Sequence, residues 1–229
     1  MVPRRLRTHG AEILDREDLE PARRNRILAD LERFTRRSGW DALHLRNLRL
    51  HWEALGRPRP FRVLDIGSGM GGLLLQVAAW ADREGIPVAL TGLDRGVDYV
   101  RMARERLGAR AEVHLGDATA LPFPDRSFDV ATCTLMMHHL PSDVRHRLVA
   151  ELARVTRSAY LFDLEVTLYG ALGAAALGPL MGLRGDAWHD GVLSVRRGAT
   201  LTEFRALVAP LPVEVRRVFP TALATLPRR

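Results

Sequence analysis

Val63-Leu64-Asp65-Ile66-Gly67-Ser68-Gly69-Met70-Gly71-Gly72 is the stretch that decides the fold. Apolar positions around one acid make a buried strand, and a glycine-dense turn then leads directly into the helical stretch Leu73–Ala81. Glycine tolerates positive φ and lets a ligand approach bare backbone. The helix N-terminus that follows offers unpaired N–H groups and a partial positive charge. A strand, turn and helix of this composition bind nucleotides. Gly67, Gly69 and Gly72 satisfy the dinucleotide pattern G-x-G-x-x-G, which is weak evidence alone. Asp65 tilts the choice, because a carboxylate there repels a pyrophosphate but suits an ammonium or sulfonium charge.

Further acids follow at useful intervals. Val88–Leu93 reads as a second strand ending in Asp94, about 20 residues past the glycines, where a carboxylate can take both ribose hydroxyls. The strand Ala111–Leu115 runs into Gly116-Asp117-Ala118, and Leu121–Val130 turns into a fourth strand. Together these segments, beginning with D-x-G-x-G-x-G at Asp65–Gly71, resemble class I S-adenosylmethionine (SAM)-dependent methyltransferases. The resemblance implies that Gly67, Ser68, Gly69 and Gly71 hold the methionine portion of SAM, while Asp65 orders the turn and favours the positive ligand. It further implies that Asp94, with Arg95 beside it, binds the ribose, that Asp117 and Ala118 bind the adenine, and that the backbone near Thr134 binds the amino group. S-adenosylhomocysteine would be the product.

The 229 residues suffice for one sizeable core, with 47% hydrophobic and 27% charged residues, as in ordinary soluble proteins. The formal charge is +7, carried wholly by arginine, since lysine is absent. The arginines are scattered and no RNA-binding signature, zinc set or aromatic-basic stripe accompanies them, so no nucleic-acid partner is expected. Cys133 is the only cysteine, which excludes an internal disulfide and suits a reducing compartment. No apolar signal core follows Met1-Val2-Pro3-Arg4-Arg5, so a cytoplasmic location is expected. Val166–Leu183 is uncharged but carries five Gly or Pro residues, so it reads as a core or pocket-lining helix rather than a span. Shallow contact with a membrane surface stays open.

Residues 1–60 read as a helical cap belonging to the same domain. Ile27, Leu28, Leu31 and Phe34 recur at helical spacing, as do Leu43, Leu45, Leu48, Trp52 and Leu55, with Gly39 between the two sets. From Phe61 to 229 strand and helix alternate: strands at 61–66, 88–94, 110–116, 128–134 and 158–165, helices at 70–84, 96–107 and 141–156. This predicts an α/β, Rossmann-like doubly wound sheet with ligands beyond the strands' C-terminal ends. A substrate-recognition insertion is expected around 166–200, then a helix at Thr202–Ala209 and a closing hairpin, Val213–Phe219 and Thr221–Leu226, around Pro220. The resemblance implies seven strands with the last one antiparallel.

Methyl transfer from a sulfonium is an in-line displacement, so positioning dominates. A phenol with a pKa of about 10 nevertheless needs a base near neutral pH. The fourth strand ends in Thr134-Leu135-Met136-Met137-His138-His139, making His139 the first candidate base and His138 the second. Adjacent histidines rarely aim at one ion and no carboxylate cluster stands nearby in sequence, so no metal is expected. A second polar constellation, Trp188-His189-Asp190-Gly191 through Ser194-Val195-Arg196-Arg197, resembles a stretch of the bacterial methyltransferases found alongside type III polyketide synthases. Glu12-Ile13-Leu14-Asp15 and the capping helices look similar too. That resemblance implies a phenolic, often alkyl-tailed small-molecule acceptor, with His189, Asp190 and Arg197 closing over it. The family tends to have an Asn-Asp pair after strand five, where this chain has Phe162-Asp163. The expectation is a monomeric or homodimeric O-methyltransferase of secondary metabolism. The alternatives are C-methylation of a quinone precursor, an NAD-dependent oxidoreductase, and a non-catalytic SAM-binding module.

Overall fold

Strand residues buried on both faces set the architecture. In the computed structural model, which describes residues 7–8, 10–16, 18–218 and 222–227, one seven-stranded sheet runs β3-β2-β1-β4-β5-β7-β6. Its strands are β1 (Phe61–Ile66), β2 (Val88–Asp94), β3 (Glu112–Leu115), β4 (Phe128–Thr134), β5 (Thr156–Leu164), β6 (Val213–Arg217) and β7 (Ala222–Pro227). The first five are mutually parallel, and β7 enters antiparallel to both β5 and β6. This is the Rossmann-like, doubly wound arrangement with an antiparallel last strand that the alternation and the resemblance imply. The turn around Pro220 lies outside the described residues.

Because the sheet is covered on both sides, its central strands read as nearly continuous apolar runs. Side chains alternate between two cores. Val63, Val130, Tyr160 and Phe162 face one, together with Leu74 and Trp80. Leu64, Ile66, Ala131 and Leu161 face the other, with Leu148, Leu152 and Phe204. Helices α3 (Gly72–Glu84), α4 (Val97–Leu107), α5 (Arg145–Val155) and α8 (Leu201–Val208) are the main crossover layers.

Two helices precede the sheet. α1 (Pro21–Ser38) and α2 (Trp40–Ala54) are separated by Gly39, whose φ of +74° ends one helix and opens the next. α2 buries Trp40, Leu48 and Trp52 in the same core as Phe61 and Tyr160. It also brings polar groups inside: His44 Nδ1 lies 2.8 Å from the Tyr160 hydroxyl and His51 Nδ1 2.8 Å from Ser158 Oγ. Burial pushes both imidazoles down to about 4, so they are neutral partners in the core.

The uncharged stretch after β5 departs from the expected single helix over 166–183. It holds only α6 (Leu168–Leu177) and then turns through Gly178-Pro179 and a left-handed Gly182 (φ +107°), with α7 (Gly185–Arg197) beginning beyond it. A proline cannot continue the helix, and glycine accommodates the turn. Exposed apolar side chains stand at both ends of α6, with Tyr169 in its first turn 82% and Leu180 beyond its last 75% accessible. Among the described residues no helix is long and apolar enough to cross a membrane.

Candidate functional site

At the carboxyl ends of β1 and β2 the glycine turn is held by main chain and by one acid. Leu93 O accepts from Gly67 N (2.8 Å) and Ser68 N (3.1 Å), and Asp94 Oδ2 accepts from Gly69 N (2.8 Å). Asp94 Oδ1 meanwhile accepts from Gly96 N at 2.8 Å, ahead of α4. Gly67, Gly69 and Gly71 all have positive φ. A Cβ on Gly67 would lie 2.5 Å from Met136 Cγ and one on Gly71 2.6 Å from a Leu107 methyl, whereas one on Gly69 would meet nothing within 4 Å. Bare backbone, open space beside Gly69 and a carboxylate at the mouth fit a nucleoside that brings hydroxyls and positive charge.

Asp65 corrects one expectation. It does not order the turn; its partner is Thr132, whose hydroxyl donates to Asp65 Oδ1 at 2.6 Å across the β1–β4 pair. Burial pushes its carboxyl up to about 7, against the Thr132 bond and with help from the charge of Asp94. Asp117 is exposed, with Oδ1 taken by Thr119 N and Oγ1, and Arg95 is exposed beside Asp94. Ala118 and Thr134 are partly accessible.

Leu135, immediately after β4, adopts a left-handed φ of +54°, a conformation that costs a β-carbon residue about 1 kcal/mol or more. Its N–H is held by Phe162 O at 2.8 Å. The reversal leads into a 3₁₀ turn, Met137–His139, and so presents His138 and His139 next to Met136, the residue that lies against Gly67.

Each imidazole is fixed through Nδ1 by its own carboxylate. His138 Nδ1 lies 2.5 Å from Asp163 Oδ1, and His139 Nδ1 lies 2.8 Å from Asp15 Oδ1. Both Nε2 atoms then face Glu12, at 3.7 Å from Oε1 for His138 and 3.8 Å from Oε2 for His139. Glu12 also accepts from Ser194 Oγ at 2.8 Å, and Arg197 reaches Glu12 (3.4 Å), Asp15 (2.8 Å) and His139 O (3.2 Å). Burial pushes the Glu12 carboxyl up, opposed by His139, Ser194 and Arg197. Burial acts on Asp15 and Asp163 too, but their imidazole partners outweigh it and hold both below the usual carboxylate range.

The second polar constellation joins this cluster from outside. Asp190, buried on α7, accepts from Ile13 N (2.9 Å) and Leu14 N (3.0 Å) and so latches the Ile13–Asp15 turn onto the helix. Arg197 bonds to acids of that same turn, so the geometry gives Asp190 and Arg197 a holding task. Of His189, Asp190 and Arg197, His189 is the well-exposed one, with Nδ1 3.0 Å from Asp190 Oδ1. Glu12, Asp15 and Asp163 are the participants that sequence reasoning did not place. The E-x-x-D capping box at Glu12–Asp15 was the local signal for the first two, and only the fold brings that box to the histidines.

Comparison with known proteins bears on the fold and the glycine-turn region. A family model described as "Methyltransferase domain" matches residues 63–159. The uncharacterized methyltransferase YcgJ of Bacillus subtilis (strain 168) is 38% identical over 105 residues, covering 42% of this chain and 36% of that protein. Its crystal structure superposes with a TM-score of 0.50 at 27% identity, over 73% of this chain and 69% of the other. A fatty-acid O-methyltransferase of Mycolicibacterium smegmatis is 38% identical over 103 residues, 44% of this chain and 35% of that protein. The plantazolicin methyltransferase BpumL, solved in complex with a desmethyl-plantazolicin analogue and S-adenosylhomocysteine, shares the fold over 91% of both chains (TM-score 0.63, 16% identity). Other relatives are named for N- and C-methylation. The chain spans 35% to 54% of the length of the first curated relatives it matches.

Proposed function

We propose that this chain is a class I SAM-dependent methyltransferase that moves the methyl group of SAM to a hydroxyl of a small, largely apolar aromatic acceptor of phenolic polyketide type; the methyltransferase-domain match over residues 63–159 and the similarity to YcgJ support the reading. One observation carries the reading. Met136 lies against Gly67 of the cofactor turn, and its carbonyl accepts from His139 N at 3.0 Å, so the imidazoles sit beside the turn expected to seat the methionine portion.

The chemistry follows from that adjacency. SAM supplies an activated methyl group. Asp94 would bind the ribose, Asp117 and Ala118 the adenine, and the Gly67–Gly71 backbone with Thr134 the amino acid end. His139 is the accessible imidazole, 23% exposed against 3% for His138. We assign it the acceptor's proton, with Asp15 holding Nδ1 and steadying the charge that forms. His138, buried and bound to Asp163, positions its neighbour. The 1–60 segment would cap the cleft, and the 166–200 insertion would supply its apolar wall, with His189 the side chain of α7 free to meet the acceptor.

The test is incubation of the purified chain with SAM and a panel of alkylphenols, followed by mass spectrometry and NMR of the product. A methyl ether supports the proposal. A methyl on carbon would favour the quinone-precursor reading, which relatives named for demethylmenaquinone and ubiquinone methylation make the nearest rival. No saturable SAM binding by calorimetry would sink both.

A further inference from the structure

The same cluster has a geometry that proton transfer does not require. With a carboxylate on each Nδ1, the neutral tautomers that donate there turn a lone pair outward at Nε2. Those two lone pairs face the oxygens of one buried carboxylate, Glu12, at 3.7 and 3.8 Å. These separations are too long for hydrogen bonds. Two imidazole nitrogens and a carboxylate gathered this closely call for a proton or a metal cation among them. All three ligand atoms fall within 4.8 Å of one another. An ion bonded at about 2.0–2.1 Å to each would draw them closer, to about 3.4 Å for tetrahedral angles.

We propose that Glu12, His138 and His139 form a site for one divalent transition-metal ion of the zinc class, with Asp163 and Asp15 as its outer carboxylates. Two imidazoles and a carboxylate are the donor set that zinc-class ions favour, and a carboxylate on the far nitrogen of each ligating imidazole is the usual support. The charges agree. Glu12, Asp15 and Asp163 outnumber the two neighbouring guanidiniums, Arg197 and Arg145, which bond to the acids or to the carbonyls of His138 and His139. Glu12 and His138 close the inner side, while His139 leaves an open position toward solvent for an oxygen ligand. The inference goes beyond methyl transfer and does not depend on it. An ion and a free base exclude each other at His139 Nε2, so activity measured in chelator reports the metal-free enzyme.

The test is binding, without SAM or acceptor. Co2+ is titrated into the chelator-stripped, dialysed full chain, and the visible absorption of low-coordinate Co2+ is followed, then competed with Zn2+. The expected result is one equivalent bound, bleached by Zn2+, with Zn2+ also raising the Tm. Glu12→Gln and His139→Gln should each weaken Co2+ binding at least tenfold, and Asp163→Asn about 10- to 100-fold. Far-UV circular dichroism and S-adenosylhomocysteine affinity check that each variant is folded. Absence of Co2+ absorption at one equivalent overturns the proposal. So does equal affinity in folded Glu12→Gln, or a loss on His189→Gln alone, which would put the ion on the exposed face of α7.

Discussion

Asp163 holds His138 twice: Oδ1 lies 2.5 Å from the ring Nδ1, and Oδ2 accepts the backbone N–H of the same residue at 3.0 Å. One carboxylate at the end of β5 thereby fixes both the ring and the main chain of the turn that follows β4. Asp163→Asn keeps the shape, but an amide cannot match the charge, and if it donates to Nδ1 it inverts the tautomer. The expected outcome in chelator is a fall in kcat of about 100-fold with KM for SAM nearly unchanged. Steady-state kinetics at several pH values check it, and a drop confined to KM would contradict the positioning role.

His139→Ala removes the imidazole assigned to the acceptor proton while leaving the glycine turn and Asp94 in place. Turnover should fall about 10²- to 10⁴-fold and S-adenosylhomocysteine affinity should hold within about twofold. Calorimetry and a product assay, both in chelator, separate the two. A variant that keeps its turnover would return the base role to another group.

Much of the cofactor side was legible because its determinants are local. The strand, glycine turn and helix at 61–84, and Asp94 at the tip of β2, sit where periodicity and turn chemistry put them. What escaped depends on register and on distant packing. Asp65 pairs with Thr132 because β1 and β4 align those two residues, which no local pattern encodes. The helix stops at Leu177, ahead of Gly178-Pro179, although the apolar run continues beyond it. Glu12 and Asp15 reach the histidines only because α7 latches their turn, so residues far apart in the chain must be folded before the cluster exists. Of the three residues expected to close over the acceptor, Asp190 and Arg197 bond to that turn, and His189 is the one left exposed.

Asp65 links cofactor binding to pH. Its folded-state pKa is raised to about 7 by burial, above the ordinary value of 3.8. Between these values the folded chain retains a proton that the unfolded chain has released, so this group's contribution to stability declines as pH rises toward 7 and then levels. If the cationic cofactor draws the carboxylate into its charged form, binding expels that proton. SAM affinity should then rise with pH, by up to about tenfold per unit below 7, and flatten above it. Calorimetry from about pH 6 to 8, in buffers of differing ionisation enthalpy, measures both slope and proton release. Asp65→Asn should flatten the slope, and a wild-type slope that survives in the variant would place the titrating group elsewhere.

Asp190 offers the sharpest test of how the cluster is assembled. Its two oxygens take the N–H groups of Ile13 and Leu14, and Arg197 on the same helix takes Asp15. Asp190→Ala leaves two partly buried donors unpaired, at a cost of about 2–4 kcal/mol to the docked state of the turn. The sheet does not share these contacts, so the loss should appear as local undocking rather than global unfolding. Amide exchange at Ile13 and Leu14 should quicken about 30-fold or more while β1, β4 and β5 keep their protection. Turnover should fall in parallel, because Asp15 leaves His139. Exchange that quickens everywhere would mean the latch supports the whole core. Exchange unchanged at Ile13 would mean that the turn is held by the contacts of Glu12 and Arg197 alone.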